Sequence, residues 1–227
     1  MKNRIEHNGG SKTERLQESH AFELFNQCLQ EAQNGNFSPQ IERNEMSEIL
    51  TPNGQVSRLP NELYVRLTRT PSFYAWFGDW VNNPEQASKV IYEDTKEPKI
   101  VWHGITDGMP DTHGFLGDKD HAPMMVFFTS EKDHASFWSH SLGHMNHSPY
   151  VGTLFAVFLN LKKPKIISHN PSVDEVIEIG IMYRKKREFD SIIQTQGDIG
   201  LGDEYYSDQY VAYGKEQIMH IPSPITS

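Results

Sequence analysis

The sequence feature that most constrains the fold is a nearly continuous apolar run from Leu154 to Leu161. A run of this length without polar alternation is typical of a strand buried on both faces, so it predicts the central strand of a sheet, over Val151–Leu161. Further short apolar segments are separated by polar loops and predict five more strands, at Ile100–Trp102, Met125–Thr129, Lys165–Ser168, Ser191–Gln194 and Gln209–Tyr213.

Helical patterns precede and interrupt these strands. Phe22, Phe25 and Leu29 recur at helical spacing and predict an amphipathic helix over about residues 13–33. Pro71 suits the first turn of another helix, whose aromatic side chains we interpret as core: Phe73, Trp76, Phe77 and Trp80. Shorter helices are predicted at about residues 45–50, 133–141 and 173–180.

The chain divides by composition into two parts. Residues 1–60 form a polar extension punctuated by Pro and Gly, with residues 1–11 predicted to be disordered, and residues 61–227 form the domain proper. With 227 residues, 37% of them hydrophobic, the chain can bury one sizeable core. We predict an α+β fold in which a split pair of antiparallel sheets encloses a cleft.

Charge and cysteine content limit the classes of partner and the cellular compartment that we expect for this chain. A net charge of -9 disfavours nucleic acid, and the one strongly basic run is 184–187. Cys28 is the sole cysteine, which excludes an intrachain disulfide, and we interpret it as a buried small hydrophobe. No apolar run suits a membrane span or a signal peptide, so we expect a cytosol, of the producing cell or of a host reached by specialised secretion.

Trp102-His103-Gly104 ends one of the predicted strands. A His at a strand end has its ring held by the sheet while its polar edge faces outward, and a following Gly lets a ligand approach the backbone. The pair therefore indicates a binding site, although a structural His is the more common reason for such a residue.

Several short motifs accompany this His-Gly pair in a fixed order. They begin with Arg69-Thr-Pro-Ser-Phe73-Tyr-Ala-Trp76-Phe77-Gly78 and continue through Phe127-Phe-Thr-Ser130, Ala135-Ser-Phe137, Phe155-Ala-Val-Phe-Leu-Asn160 and Gln209-Tyr-Val-Ala-Tyr213. From about Arg69 to Ile221 the chain resembles the ADP-ribosyltransferase domain of polyvalent phage and mobile-element proteins, which looks like a relative of the diphtheria-toxin and poly(ADP-ribose) polymerase branch.

The resemblance implies a fold around an NAD cleft and a role for individual residues. His103 would hydrogen-bond a ribose hydroxyl of NAD, the Gly104 backbone would hold the nicotinamide carboxamide, and Phe137 would stack on the nicotinamide. It also places three further residues at the NAD site: Arg69, Phe128 and Thr129. NAD is thus the expected substrate, with no metal.

One position departs from the family's pattern. Gln209 stands where polymerising members carry a catalytic Glu, and a neutral amide stabilises an oxocarbenium ion less well than a carboxylate. This favours transfer of a single ADP-ribose. Glu204, in a Gly-containing loop, is our preferred substitute, whereas Asp208 would point away from the face of Gln209. Glu216 is the third candidate.

Three functions remain open. The first is a mono-ADP-ribosyltransferase that modifies a protein acceptor, as a bacterial or phage toxin or effector. The second is a catalytically inactive NAD-fold interaction module, and the third is a transferase acting on nucleic acid, for which Arg66, Arg69 and the run at 184–187 would have to supply a basic cleft. His140 and His144 stand at i,i+4, but without an intervening Glu or a nearby Cys they predict no metal site.

Overall fold

The computed structural model describes residues 12–106, 125–145, 152–168, 175, 178–182, 188–197 and 207–222. Four labelled helices lie in these ranges: α1 (Lys12–Gln33), α2 (Glu62–Leu67), α3 (Pro71–Phe77) and α4 (Lys132–Met145). Residues 175 and 178–182 are also helical. The predicted disorder of residues 1–11, the basic run at 184–187 and the loop that carries Glu204 lie outside the described residues.

The strands of the described residues form two sheets, and the α+β class is confirmed. A small antiparallel pair joins β1 (Glu42–Arg43) and β2 (Ile49–Leu50). The main sheet has seven strands in the order β6-β7-β8-β4-β3-β5-β9. These are β3 (Val101–Thr106), β4 (Val126–Thr129), β5 (Gly152–Leu159), β6 (Pro164–Ile167), β7 (Ser191–Gly197), β8 (Ser207–Ala212) and β9 (Ile218–Ile221). The sheet is mixed, because β6 and β7 run parallel.

The middle of this sheet is nearly divided. Between β3 and β4 a single residue pair, Trp102 with Thr129, is in register. On its other side β3 pairs with β5 over its whole length, and all of β4 pairs with β8. Strands β3 and β4 therefore separate directly after Trp102, and we call the position where they part the sheet split.

Helices cover one face of the main sheet. Ala156, Phe158 and Ile221 on this helix-covered face pack with Phe73 and Phe77 of α3 in one buried cluster. Phe73 stacks on Phe77 and meets Phe158 edge to face. The predicted aromatic core of α3 is thus confirmed for Phe73 and Phe77, and Trp80 is buried beside them; Trp76 is half-buried.

The opposite face carries His103, and we call it the His103 face. Val101, Phe128 and Tyr210 contribute to a second buried cluster, whose other members come from neighbouring strands and loops. Because side chains alternate along a strand, β5 supplies both clusters, with Ala156 and Phe158 on one face and Val157 and Leu159 on the other. This arrangement explains why Leu154–Leu159 is apolar throughout: its alternate residues lie on two different faces of the sheet.

The N-terminal extension shares the first of these cores. Helix α1 packs on α2, α3 and β9, and its Phe25, Cys28 and Ala32 belong to the same cluster as Phe158. Cys28 is fully buried, as predicted, and burial raises the pKa of its thiol to about 11. Residues 23–60 therefore have no separate core in the described structure.

The predicted helix at residues 45–50 is wrong. Residues 45–48 form the turn between β1 and β2, in which the Asn44 side chain accepts hydrogen bonds from the Met46 and Glu48 amides. The strands β1 and β2, the short helix α2 and the edge strand β9 were not anticipated from the sequence. Asn61 caps α2 by accepting from the amides of Leu63 and Tyr64. Of the helices described, none has the length and apolar character that a membrane crossing requires.

Candidate ligand-binding site at the sheet split

The ring of His103 lies at the sheet split. Its backbone follows Trp102, the last residue of β3 in register with β4. Its Nδ1 lies 2.6 Å from the carbonyl oxygen of Phe127 on β4. The side chain thus links the two strands at the point where their backbone pairing has ended.

This hydrogen bond fixes the tautomer of the imidazole. A carbonyl oxygen only accepts, so the Nδ1–H of His103 must donate to Phe127. Burial lowers the pKa of His103 below its usual 6.5, and the hydrogen bond to Phe127 offsets only part of that effect. At neutral pH the ring is therefore uncharged, with its lone pair on Nε2, and Nε2 is a hydrogen-bond acceptor.

Aromatic rings flank this imidazole. Phe128 lies on one side, with ring centroids 5.4 Å apart. Phe155 lies directly opposite His103 in the pairing of β3 with β5. Phe128 was assigned to the site from the sequence, whereas Phe155 was not, since only the strand register reveals that it is a neighbour of His103.

Gly104 has a structural reason to lack a side chain. A Cβ atom at this position would lie 2.0 Å from the carbonyl oxygen of Ala135 in α4. The backbone of α4 therefore occupies the space that the sequence analysis had reserved for a ligand. Helix α4 fills only the side-chain position of Gly104. The main chain of Gly104 continues along β3 next to His103.

A second polar cluster lies beneath α4, on the helix-covered face. The Oγ of Ser207 is 2.7 Å from both Thr129 Oγ1 and His134 Nδ1. All three residues are at least 95% buried. The cluster fastens the start of β8 and the first turn of α4 to the end of β4, and Thr129 belongs to it.

Gln209 lies on the opposite face of the sheet from His103. Trp102 is directly opposite Thr129, and Thr129 is directly opposite Gln209, so these three side chains share the helix-covered face. Gln209 is 4% exposed and also pairs with Gln194 of β7. The sequence had grouped His103 and Gln209 in one catalytic set, which their places in the sheet do not support.

Asp208 is the candidate carboxylate that shares the His103 face. Its Oδ2 lies 3.5 Å from the Nζ of Lys99, a residue that precedes β3. Asp208 also raises the pKa of Tyr210, although burial of the phenol is the larger cause. On β8, Asp208 points away from the face of Gln209, as the sequence predicts, and this orientation places it on the same face as His103.

The remaining candidates lie elsewhere. Glu216 is exposed just after β8, where its carboxylate would contact a side chain placed at Gly214. Phe137, on α4, is 37% exposed. Arg69 is 1% exposed, and its guanidinium donates to the carbonyl oxygens of Pro39, Gln40 and Leu50. It holds the N-terminal extension in place, which leaves no support for a role in binding NAD.

The described part of the chain contains no group of three or more His, Cys, Asp or Glu residues arranged to hold a metal ion. The side chains of His140 and His144 are not among those described. A comparison of the sequence with protein-family models gives no match. A comparison with curated proteins also gives no match.

Proposed function

We propose that the chain is a mono-ADP-ribosyltransferase that binds NAD at the sheet split and transfers one ADP-ribose to a protein acceptor. The observation that carries the proposal is the His103 imidazole, held between β3 and β4 with Nδ1–H bound to Phe127. Its Nε2 is then an acceptor suited to a ribose hydroxyl. The resemblance of the chain from Arg69 to Ile221 supplies the reaction class.

In the proposed reaction the bond between ribose C1′ and the nicotinamide nitrogen breaks, and nicotinamide leaves with the electron pair. A nucleophilic side chain of the acceptor protein then bonds to C1′ and loses its proton to solvent. His103 contributes by orienting the ribose through a hydroxyl, a role of positioning. The ring of Phe155, which is half-buried next to His103, suits a ligand with flat rings and a sugar, and buried Phe128 supports the imidazole from below the surface.

An NAD-binding module without turnover is the second candidate, and the position of Gln209 favours it. Gln209 lies across the sheet from His103, and Asp208, which shares the His103 face, already pairs with Lys99. Neither residue therefore places a carboxylate beside His103. Glu204, outside the described residues, is the carboxylate on which the transferase proposal relies.

A nucleic-acid acceptor has less support. Of the cations that would have to form a basic cleft, Arg66 pairs with Glu62 and Arg69 is buried against backbone carbonyls. Arg69 is therefore unavailable to track a phosphate backbone, and the charge of Arg66 is balanced by Glu62. The net charge of -9 also disfavours binding to nucleic acid.

The test uses the purified protein, labelled NAD and a cell lysate. We expect wild type to label a discrete protein band, His103→Ala to lose the label, and the surface control Arg58→Ala to retain it. Binding of NAD by wild type without any label transfer would favour the inactive module. Transfer to RNA or DNA in place of protein would support the nucleic-acid reading.

A further inference from the structure

His220 lies on the same face of the sheet as His103. It belongs to β9, where it is directly opposite Val157 of β5. Val157 and Phe155 are two residues apart on β5, so both share the His103 face. Phe155 in turn is directly opposite His103. Phe155 therefore stands between the two histidines.

The rings make a continuous stripe across four strands. Phe155 meets His220 edge to face, with centroids 5.6 Å apart, and Phe128 lies 5.4 Å from His103 at the other end. Phe128 is buried, so the part of the stripe that a ligand can reach runs from β3 through β5 to β9. With neighbouring strands about 4.8 Å apart, this part spans roughly 10 Å, enough for more than one ring of a ligand.

This stripe is where the interior of the His103 face reaches the surface. Two residues away along β3, β5 and β9, the same face carries Val101, Val157 and Ile218, which are buried. His103, Phe155 and His220 are all half-buried. An apolar floor with a partly exposed rim that carries a few polar groups is typical of small-molecule sites.

Both imidazoles are held in the neutral state at pH 7. Burial is the main cause of the lowered pKa of His220, and repulsion from a protonated His103 lowers it further. The neutral ring of His103, whose Nδ1–H is bound to Phe127, offers a ligand the acceptor Nε2, and a neutral imidazole such as that of His220 carries one donor and one acceptor. Two half-buried imidazoles on one face of the sheet suit a ligand that carries two sets of hydroxyls, as the two riboses of a dinucleotide do.

We infer that His220 is a second ligand-binding residue, which hydrogen-bonds a hydroxyl of the dinucleotide other than the one held by His103. The inference rests on the proposed function, since NAD carries a ribose on each half. Recognition of both halves would then require β9, the strand at the edge of the sheet, in addition to β3.

The first experiment compares NAD binding by wild type, His220→Phe and His103→Ala in calorimetry. Phenylalanine keeps the ring next to Phe155 and removes only the hydrogen-bonding edge. Loss of one hydrogen bond corresponds to roughly 5- to 10-fold weaker binding, and this is the result we expect for His220→Phe. Met219→Leu, a change on the helix-covered face, is the matched control and should bind as wild type does.

The outcomes separate the two claims. If wild type binds NAD, His103→Ala loses binding and His220→Phe stays within twofold, the role of His220 is overturned while the proposed function stands. If wild type does not bind NAD, both fail. A second measurement follows the imidazole carbon-bound protons by NMR: NAD should shift the resonances of both histidines, and a shift confined to His103 would overturn the inference.

Discussion

The Nδ1–H of His103 donates to the carbonyl oxygen of Phe127 across 2.6 Å, just beyond the last residue pair of β3 and β4. The bond has two consequences. It ties together two strands that have stopped pairing, and it leaves Nε2 as the acceptor edge of a neutral ring. A single side chain thus connects the stability of the sheet with the chemistry proposed for it.

The lowered pKa values of His103 and His220 predict acid sensitivity. Below the unfolded-state pKa of about 6.5 the unfolded chain binds more protons than the folded one. The free energy of unfolding therefore decreases as the pH is lowered, until the pH reaches the lowered pKa of the folded state. Above pH 6.5 this contribution is fully present. Urea unfolding of wild type and of His220→Phe at several pH values checks it.

The expected result is a smaller loss of unfolding free energy between about pH 6.5 and 5 for the variant. Equal slopes for the two proteins would show that His220 titrates normally when the chain is folded. His103→Asn provides a parallel comparison, since its amide keeps a donor near Phe127 but no longer titrates.

Gly104→Ala should destabilise the protein. The added methyl would meet the Ala135 carbonyl oxygen at 2.0 Å, so α4 would have to move away from β3. Overpacking of this kind costs about 1–3 kcal/mol, measured by thermal or urea unfolding. Gly35→Asn is the control, because that position is open and its positive φ is one that Asn tolerates. Unchanged stability for Gly104→Ala would contradict the close contact between α4 and β3.

Gln209→Glu distinguishes a catalytic position from a buried one. The structure predicts that a carboxylate there is buried among Thr129 and Gln194, which costs about 2–4 kcal/mol at pH 7. Because burial raises a carboxyl pKa, the penalty should shrink as the pH is lowered. Gln86→Glu, at an exposed position, should leave stability unchanged.

Transferase activity of Gln209→Glu and Gln86→Glu is the second measurement. We expect no gain in label transfer for Gln209→Glu, since this side chain lies across the sheet from His103. A variant that is as stable as wild type and transfers ADP-ribose faster would instead place position 209 at the substrate.

Arg69→Met should lower the free energy of unfolding by about 3 kcal/mol, because it removes three charge-assisted hydrogen bonds to the carbonyls of Pro39, Gln40 and Leu50. Limited proteolysis should then cut the segment between residues 39 and 50 more readily. Arg58→Met, at an exposed ion pair with Asp94, should cost less than about 1 kcal/mol. An Arg69→Met protein that remains folded yet loses NAD binding would restore the role implied by the resemblance.

Periodicity predicted much of the fold. Helical spacing located α1 and α3, and apolar runs located β3 to β8, because each pattern reflects burial of that segment alone. The edge strand β9 was missed, although Ile218–Ile221 is as long as β4 and β6. The helix prediction at 45–50 was wrong because those residues alone do not show that the Asn44 side chain closes a turn there.

The candidate site was predicted only in part, for a different physical reason. His103 and Phe128 do lie together, as expected from the sequence. The relation between His103 and Gln209 depends on strand register, and a shift of one residue moves a side chain to the other face. No local pattern specifies that register, and Phe155 and His220 were missed for the same reason.

The measurement that tests the central claim most directly is calorimetric titration of NAD into wild type, His103→Asn and His103→Ala. Asparagine keeps a donor close to the Phe127 carbonyl but has nothing at the position of Nε2. The account predicts saturable binding to wild type, with both variants losing it and His103→Asn remaining closer to wild type in stability. Wild-type affinity in His103→Asn, or no binding by a folded wild-type protein, would contradict it.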